Sequence, residues 1–168
     1  MSTTHNNNPA TRLPGLGRRG EGWVVGQLLL MAAVFLSALL GRGWSGGYAV
    51  AALTFGGVVF ALGLGLLAWA GLRLGSSLTP FPAPRTDQTV KTAGPYALVR
   101  HPMYGGGILI ALGWSIIFAT IVGFVLTVLL AVFLDLKARR EEAWLSERLD
   151  GYADYRTRTP HKLLPFIY

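Results

Sequence analysis

Beyond residue 22 the chain is organised in apolar blocks far longer than a helical turn or a strand. Trp23 to Leu40, Tyr48 to Leu72, Gly105 to Thr120 and Ile121 to Leu134 carry no charged residue, and polar segments set off the first from the second and the second from the third. A membrane-crossing helix needs about 20 mostly apolar residues to span a hydrocarbon core about 30 Å thick. The first two blocks are therefore predicted to be one span each. The last two run together, and a single helix over 105–134 would be about 45 Å long at a rise of about 1.5 Å per residue. Two short crossings joined by a tight turn near Thr120 to Gly123 fit the bilayer better. The predicted fold is all-α: an integral membrane bundle of four transmembrane helices at about 23–40, 48–72, 104–120 and 121–137. The last two form a helical hairpin, and a C-terminal helical segment follows in the cytoplasm.

The cations orient this bundle. Arg12, Arg18 and Arg19 precede the first span, and only Arg42 lies between the first and second. Arg73, Arg85, Lys91 and Arg100 lie between the second and third, and seven more follow from Lys137 to Lys162. Cytoplasmic segments carry the excess of Lys and Arg. The tail, the second loop and the C-terminal segment are thus predicted on the cytoplasmic side, whereas a single crossing over 105–134 would export the last seven cations. The net charge of +7 is accounted for by this topology, so the expected partner is the lipid bilayer and not a nucleic acid. Hydrophobic residues make up 52% and charged residues 14%, against about 25% charged in soluble domains. There is no cysteine, which excludes disulfides and thiolate chemistry. A preference for Arg over Lys, with abundant Ala and Gly, points to the plasma membrane of a GC-rich bacterium.

Residues 1–22, rich in Gly, Pro and Asn, are predicted to be a disordered cytoplasmic tail, and 23–168 the membrane domain. The run at 23–40 follows Arg18 and Arg19 as a signal peptide would. It is longer than such a segment and lacks a small-residue cleavage pattern, so it is read as a retained helix. In the second span, Gly56, Gly57, Gly63, Gly65 and Gly71 are the small residues that let helix backbones approach in lipid. Gly63 and Gly65 are no dinucleotide fingerprint, because no strand precedes them.

The chemistry concentrates in two polar segments, 76–103 and 138–168. Pro80, Pro82, Pro84 and Pro95 preclude a regular helix. Gly94-Pro95-Tyr96 is predicted to turn, and Pro102 to hold His101 out of helical conformation. Lys137 to Leu149 has no Gly or Pro, so the fourth helix continues past the membrane and carries Glu141 and Glu142. Lys137 and Glu141, and Arg140 and Trp144, are i,i+4 neighbours on it. Because the third and fourth helices form a hairpin, "VRHPMY" at 99–104 and "RREEAWL" at 139–145 meet at one rim. That collects cations, an imidazole, phenols and two carboxylates. No Ser sits in a nucleophile elbow, and no metal site is expected from His101, Glu141 and Glu142. The set suits a polar cofactor that brings its own reactivity while the protein orients it.

"GPYALVRHPMYGG" at 94–106, followed by "RREEAWL" and then "GYADYRTRTPHKLLP" at 151–165, resembles the isoprenylcysteine carboxyl methyltransferase and phospholipid methyltransferase superfamily of integral membrane enzymes. "LTPFPAP" at 78–84 resembles the proline-rich stretch of its bacterial members. The resemblance covers roughly 70–168. It implies S-adenosylmethionine as methyl donor, with Gly94, Pro95, Tyr96, Val99, Arg100, His101, Pro102, Tyr104, Glu141 and Glu142 around the cofactor. Arg100, His101 and Glu142 are the expected catalytic residues. It further implies an amphiphilic or membrane-associated acceptor: an isoprenylcysteine carboxylate, a phospholipid or a small thiol. Ala97 and Gly105–Gly107 depart from the pattern, and three successive glycines are expected to loosen the start of the third helix. Tyr152 and Tyr155 are expected either to close over the cofactor or to anchor at the interface. The alternatives are an NADPH-dependent sterol-type membrane reductase and a non-catalytic membrane scaffold. The reductases share a tyrosine-arginine-histidine-proline stretch but usually have Asn at the position of Met103.

Overall fold

The computed structural model describes residues 13, 14, 16–79, 81 and 89–164. Most of the expected tail and Pro80, Pro82 and Pro84 of the second loop lie outside them. The elements are α1 (Glu21–Leu36), prolonged by a 3₁₀ turn (Ser37–Leu40), α2 (Tyr48–Leu74), a 3₁₀ turn at Gly94–Ala97, α3 (Pro102–Ile117), α4 (Ile121–Arg148) and α5 (Tyr152–Arg158). No strand occurs among the described residues. Glu21–Leu40, Tyr48–Leu74 and Ile121–Arg148 are long and apolar enough to cross a membrane, whereas α3, of 16 residues, falls below that length.

The bundle presents its apolar side chains outward. Leu29, Leu39 and Leu72 are 66%, 83% and 82% exposed, a surface too extensive and too greasy for water. Inside, Val34 of α1, Ala111 of α3 and Leu130 and Leu134 of α4 form the core, with Met31, Tyr104 and Trp114 against them. α3 is the central helix, and α2 lies on its far side from α4.

Glycines decide how closely α2 and α3 pack. A Cβ on Gly63 would stand 2.8 Å from the Gly106 carbonyl oxygen, and one on Gly106 would stand 2.9 Å from that of Gly63. Gly56 and Gly113 form a second reciprocal pair, at 3.0 and 2.7 Å. The pairs recur at a seven-residue interval on both helices, so the backbones touch along two turns. The packing role expected of the α2 glycines holds for Gly56 and Gly63, while Gly57, Gly65 and Gly71 face open space.

The glycine run at 105–107 does not loosen α3. Successive helical positions point about 100° apart, and each of these glycines meets a different neighbour. A Cβ on Gly105 would strike the Leu163 carbonyl, one on Gly106 would strike α2, and one on Gly107 would approach Met31 of α1. All three are buried. The start of α3 is crowded at Gly105 and Gly106, where only glycine fits, while a side chain at Gly107 would make an ordinary contact.

The hairpin turn lies slightly earlier than predicted. α3 ends at Ile117, Ala119 adopts φ +50, and the Thr120 side chain caps α4 by accepting from the Gly123 amide at 3.2 Å. Threonine is a favoured N-cap, which is why α4 starts at Ile121 and takes Gly123 inside it. There a Cβ would collide with the hydroxyls of Ser115 and Ser37. Trp44 of the first loop donates to the Ile116 carbonyl at this same end, at 2.6 Å.

At the opposite end the chain's entry, the second loop and the C-terminal segment meet. Arg19 lies over the Phe81 ring at 4.6 Å, Arg73 packs beneath Gly94, and Arg100 reaches the Thr159 carbonyl at 2.8 Å. α4 runs unbroken into this region, as expected from its helix-forming composition.

Candidate functional site

The site is built around Pro102. Proline has no N–H to leave unsatisfied and its φ suits the first helical position, so α3 begins there, two residues before the predicted span. His101 is pushed out of the helical region to φ −125, ψ 61. Its carbonyl receives the amides of Tyr104 and Gly105 at 3.1 and 3.2 Å. Upstream, Gly94 takes φ +67 and opens the Gly94–Ala97 turn, where a side chain would press on Arg73 at 3.1 Å. The Tyr155 hydroxyl donates to the Tyr96 carbonyl at 2.7 Å and fastens that turn to α5.

The segment after α5 forms a strap along 100–105. The amides of Arg100 and His101 donate to the carbonyls of His161 and Lys162, at 3.1 and 2.9 Å. Gly105 leaves room for the Leu163 carbonyl. Lys162 ties the strap to α4 through Asp135 at 2.7 Å.

Arg100 and Glu142 join these pieces. Arg100 Nε donates to Glu142 Oε1 at 2.7 Å, while Nη1 donates to the carbonyls of Thr159 and Pro160 at 2.8 and 2.6 Å. His101 Nε2 lies 3.1 Å from the same Glu142 oxygen. Both Arg100 and Glu142 are buried. Burial pushes the Glu142 carboxyl up, but the hydrogen bonds and charges of His101 and Arg100 outweigh it and hold it down to about 2. Glu142 is thus a carboxylate at every pH near neutral.

Glu141, on the adjacent face of α4, accepts from the Tyr104 hydroxyl at 2.6 Å and stands 3.7 Å from His101 Nδ1. The rings of His101 and Tyr104 stack, 5.3 Å apart and 4° from parallel. Lys137, one turn earlier on α4, donates to Gln27 of α1 at 2.6 Å and lies 5.1 Å from the centre of the Tyr104 ring. On the other side of Glu141, the expected Arg140–Trp144 neighbours make a cation–π contact at 4.5 Å.

A cavity of about 560 Å³ opens between these groups. Tyr96, Arg100, His101, Tyr104 and Glu141 lie on its wall; Gly94, Pro95, Val99, Pro102 and Glu142 do not. The two glutamates are therefore distinct: Glu141 faces the cavity and Glu142 anchors its wall from behind. Tyr152 and Tyr155 are buried in the wall and are not interfacial anchors. Burial lifts the phenols of Tyr96 and Tyr152 far above the usual tyrosine range. It lifts Tyr155 to about 12, with the Arg100 charge opposing. All three are neutral hydroxyls at neutral pH. No group of three or more potential metal ligands forms among the described residues.

Sequence reasoning missed the part of the wall contributed by α1, where Val24, Gln27 and Leu28 line the cavity, and the entry of Lys137 into it. A signal was present: a lone amide and a lone lysine in or beside apolar spans are costly and mark function.

The family model for phospholipid methyltransferases matches residues 51–150. The chain belongs to the phospholipid methyltransferase family. The match runs from α2 to the end of α4 and contains the Gly94–Ala97 turn, the Arg100–Glu142 pair and Glu141. It begins earlier than the sequence resemblance did, taking in α2, and stops before α5 and the strap. Membership in this family is in keeping with the outward-facing apolar helices. The chain is also similar to the delta(14)-sterol reductase TM7SF2 of Mus musculus, 27% identical over 86 residues, or 49% of this chain and 21% of that protein. The chain thus matches about a fifth of that relative's length.

Proposed function

We propose that the protein transfers the methyl group of S-adenosylmethionine to an amphiphilic acceptor admitted from the bilayer. The observation that carries this reading is the two-sided cavity. One wall is polar and locked, with Glu141, Tyr104, His101 and Tyr96. The other is apolar and formed by Val24 and Leu28 of α1 and Leu67 of α2, which do not pack against each other. A donor set of one carboxylate, stacked rings and neutral phenols fits a ligand with a flat purine, sugar hydroxyls and a cationic end.

When bound, the cofactor supplies an electrophilic methyl on a sulfonium. The protein supplies position, and orientation alone is worth several kcal/mol of barrier, up to about 7–11. Glu141 accepts from the cofactor's hydroxyls or ammonium, and the Tyr104 hydrogen bond fixes its rotamer. His101 and Tyr104 present a flat aromatic surface. Arg100 and Glu142 hold His101 in place, and Gly94, Pro95, Val99 and Pro102 set the backbone that frames the site. A carboxylate or thiolate acceptor attacks without a base. An amine must lose a proton, and His101 Nδ1, beside Glu141, is placed to take it.

The reading includes four crossings, with α3 as the fourth, both chain termini cytoplasmic, and a bacterial plasma membrane. Support comes from the cation-bearing segments at the site end and Arg42 alone among the cations of the loop at the other. α3 is covered by neighbouring helices, so it needs less length than a lipid-exposed span.

The test is calorimetric binding of S-adenosylhomocysteine and, separately, NADPH to detergent-purified protein. Wild type is compared with Glu141→Ala and His101→Ala. S-adenosylhomocysteine is expected to bind wild type and to bind both variants at least about tenfold more weakly, as loss of a charge-assisted hydrogen bond implies. Binding of NADPH alone would sink the methyltransferase reading and favour a reductase.

A further inference from the structure

Lys137 is a buried cation of the cavity wall that the proposed mechanism does not use. It is 2% exposed, its ammonium bonds to Gln27 of α1, and both residues line the cavity. Lys137 and Glu141 are one turn apart on the same face of α4, with Lys137 nearer the apolar part of the helix. The cavity thus carries its charges in layers: Glu141 towards the loops, and Lys137 rooted about 6 Å deeper along the helix axis.

Among the described residues, the charged groups on the wall are Lys91, Arg100, Lys137 and Glu141. Arg100 is neutralised by Glu142 behind it. Lys91 and Lys137 therefore outnumber Glu141 among the described residues of the wall. A cationic methyl donor held at Glu141 leaves the deeper layer more positive still. Such a wall disfavours a cationic acceptor and favours an anionic one. Next to Lys137, Val24 and Leu28 of α1 and Leu67 of α2 lead outward between two helices that do not pack together. Leu28 is 61% exposed on the outer surface. A chain of methylenes lying there would place its polar head at Lys137.

We infer that Lys137, oriented by Gln27, forms the head-group subsite of the acceptor, and that the acceptor is an amphiphile whose head carries an anionic oxygen group, carboxylate or phosphate. This rests on the methyltransferase reading for the word acceptor, but the binding it describes does not depend on methyl transfer. Lys137 is a specificity residue here: it selects the anion and is not asked to react.

The test uses full-length protein in a neutral maltoside detergent, titrated with dodecyl phosphate, N-dodecanoylglycine and dodecylamine. Bound equivalents are read by native mass spectrometry. Wild type is expected to take one equivalent of either anion in preference to the amine. Lys137→Met is expected to weaken both anions by roughly tenfold or more, the scale of a hydrogen bond to a charged group, while Lys137→Arg retains them. Gln27→Glu serves as the second variant, since it keeps the lysine and its contact and neutralises the charge internally. It too is expected to lose the anions. Displacement of dodecyl phosphate by inorganic phosphate would show that the subsite reads a free anion, and its absence that the head must come on a tail; both retain the subsite. Equal anion binding by wild type, Lys137→Met and Gln27→Glu, or preference for dodecylamine, would overturn it. S-adenosylhomocysteine binding is measured on the same wild-type samples. Its presence with Lys137-independent anion binding defeats this inference alone, and its absence with Lys137-dependent binding defeats the methyltransferase reading alone.

Discussion

Arg100 and Glu142, 42 positions apart in sequence, meet at 2.7 Å with both side chains buried. Their contact joins the start of α3 to α4, and through the Arg100 Nη1 group it also holds the strap at Thr159 and Pro160. Three pieces of chain are thereby fixed behind the cavity wall.

A buried pair broken on one side leaves an uncompensated charge, which costs about 3–5 kcal/mol. Glu142→Gln and Arg100→Gln are each expected to lose stability on that scale, seen as a lower midpoint of thermal unfolding in detergent. The apolar double variant Arg100→Met with Glu142→Leu is expected to recover part of the loss. A double variant no more stable than either single one would show that the ion pair is not the source.

The same carboxyl sets an acid limit. Its folded value of about 2 lies below its ordinary 4.5, so ionised Glu142 favours the folded state. That stabilisation is fully present above pH 4.5 and is lost as pH falls through about 2. Thermal unfolding followed between pH 7 and 2 is expected to show a plateau above 4.5 and a decline below it. Glu142→Gln is expected to flatten that decline.

The paired glycines yield a positional contrast. Gly63→Ala and Gly106→Ala place a methyl 2.8 and 2.9 Å from the opposing carbonyl oxygen, and overpacking of this kind costs about 1–3 kcal/mol. Gly57→Ala and Gly65→Ala meet nothing and are expected to leave the unfolding midpoint unchanged or slightly raised. Equal effects at all four positions would contradict the close approach of α2 and α3.

Tyr155→Phe removes the bond to the Tyr96 carbonyl without changing the ring. The expected cost is about 1 kcal/mol of stability, with weaker binding of S-adenosylhomocysteine because Tyr96 sits on the cavity wall. Unchanged affinity together with lowered stability would show that the turn's position does not matter to the ligand.

Much of the architecture was legible in the order of residues. Apolar blocks the length of a bilayer dictate helices with outward-facing leucines, since a continuous greasy run can satisfy its backbone in lipid only as a helix. Pro102 and Thr120 mark where α3 and α4 begin because each supplies a local cap or a fixed dihedral. The meeting of residues 99–104 with 139–145 followed from the hairpin. All of these depend on interactions within a few residues, or on one symmetric turn, and so can be read along the chain.

Tertiary structure alone decided which glycines pack and which face outward, since that depends on the rotation of α2 about its own axis. It separated Glu141 from Glu142, adjacent letters that a helix turns about 100° apart, one towards the cavity and one towards Arg100. It brought Gln27 to Lys137 across 110 positions and laid the strap along Arg100. Such contacts are fixed by the free energy of burying partners from distant segments together, and no local pattern specifies them.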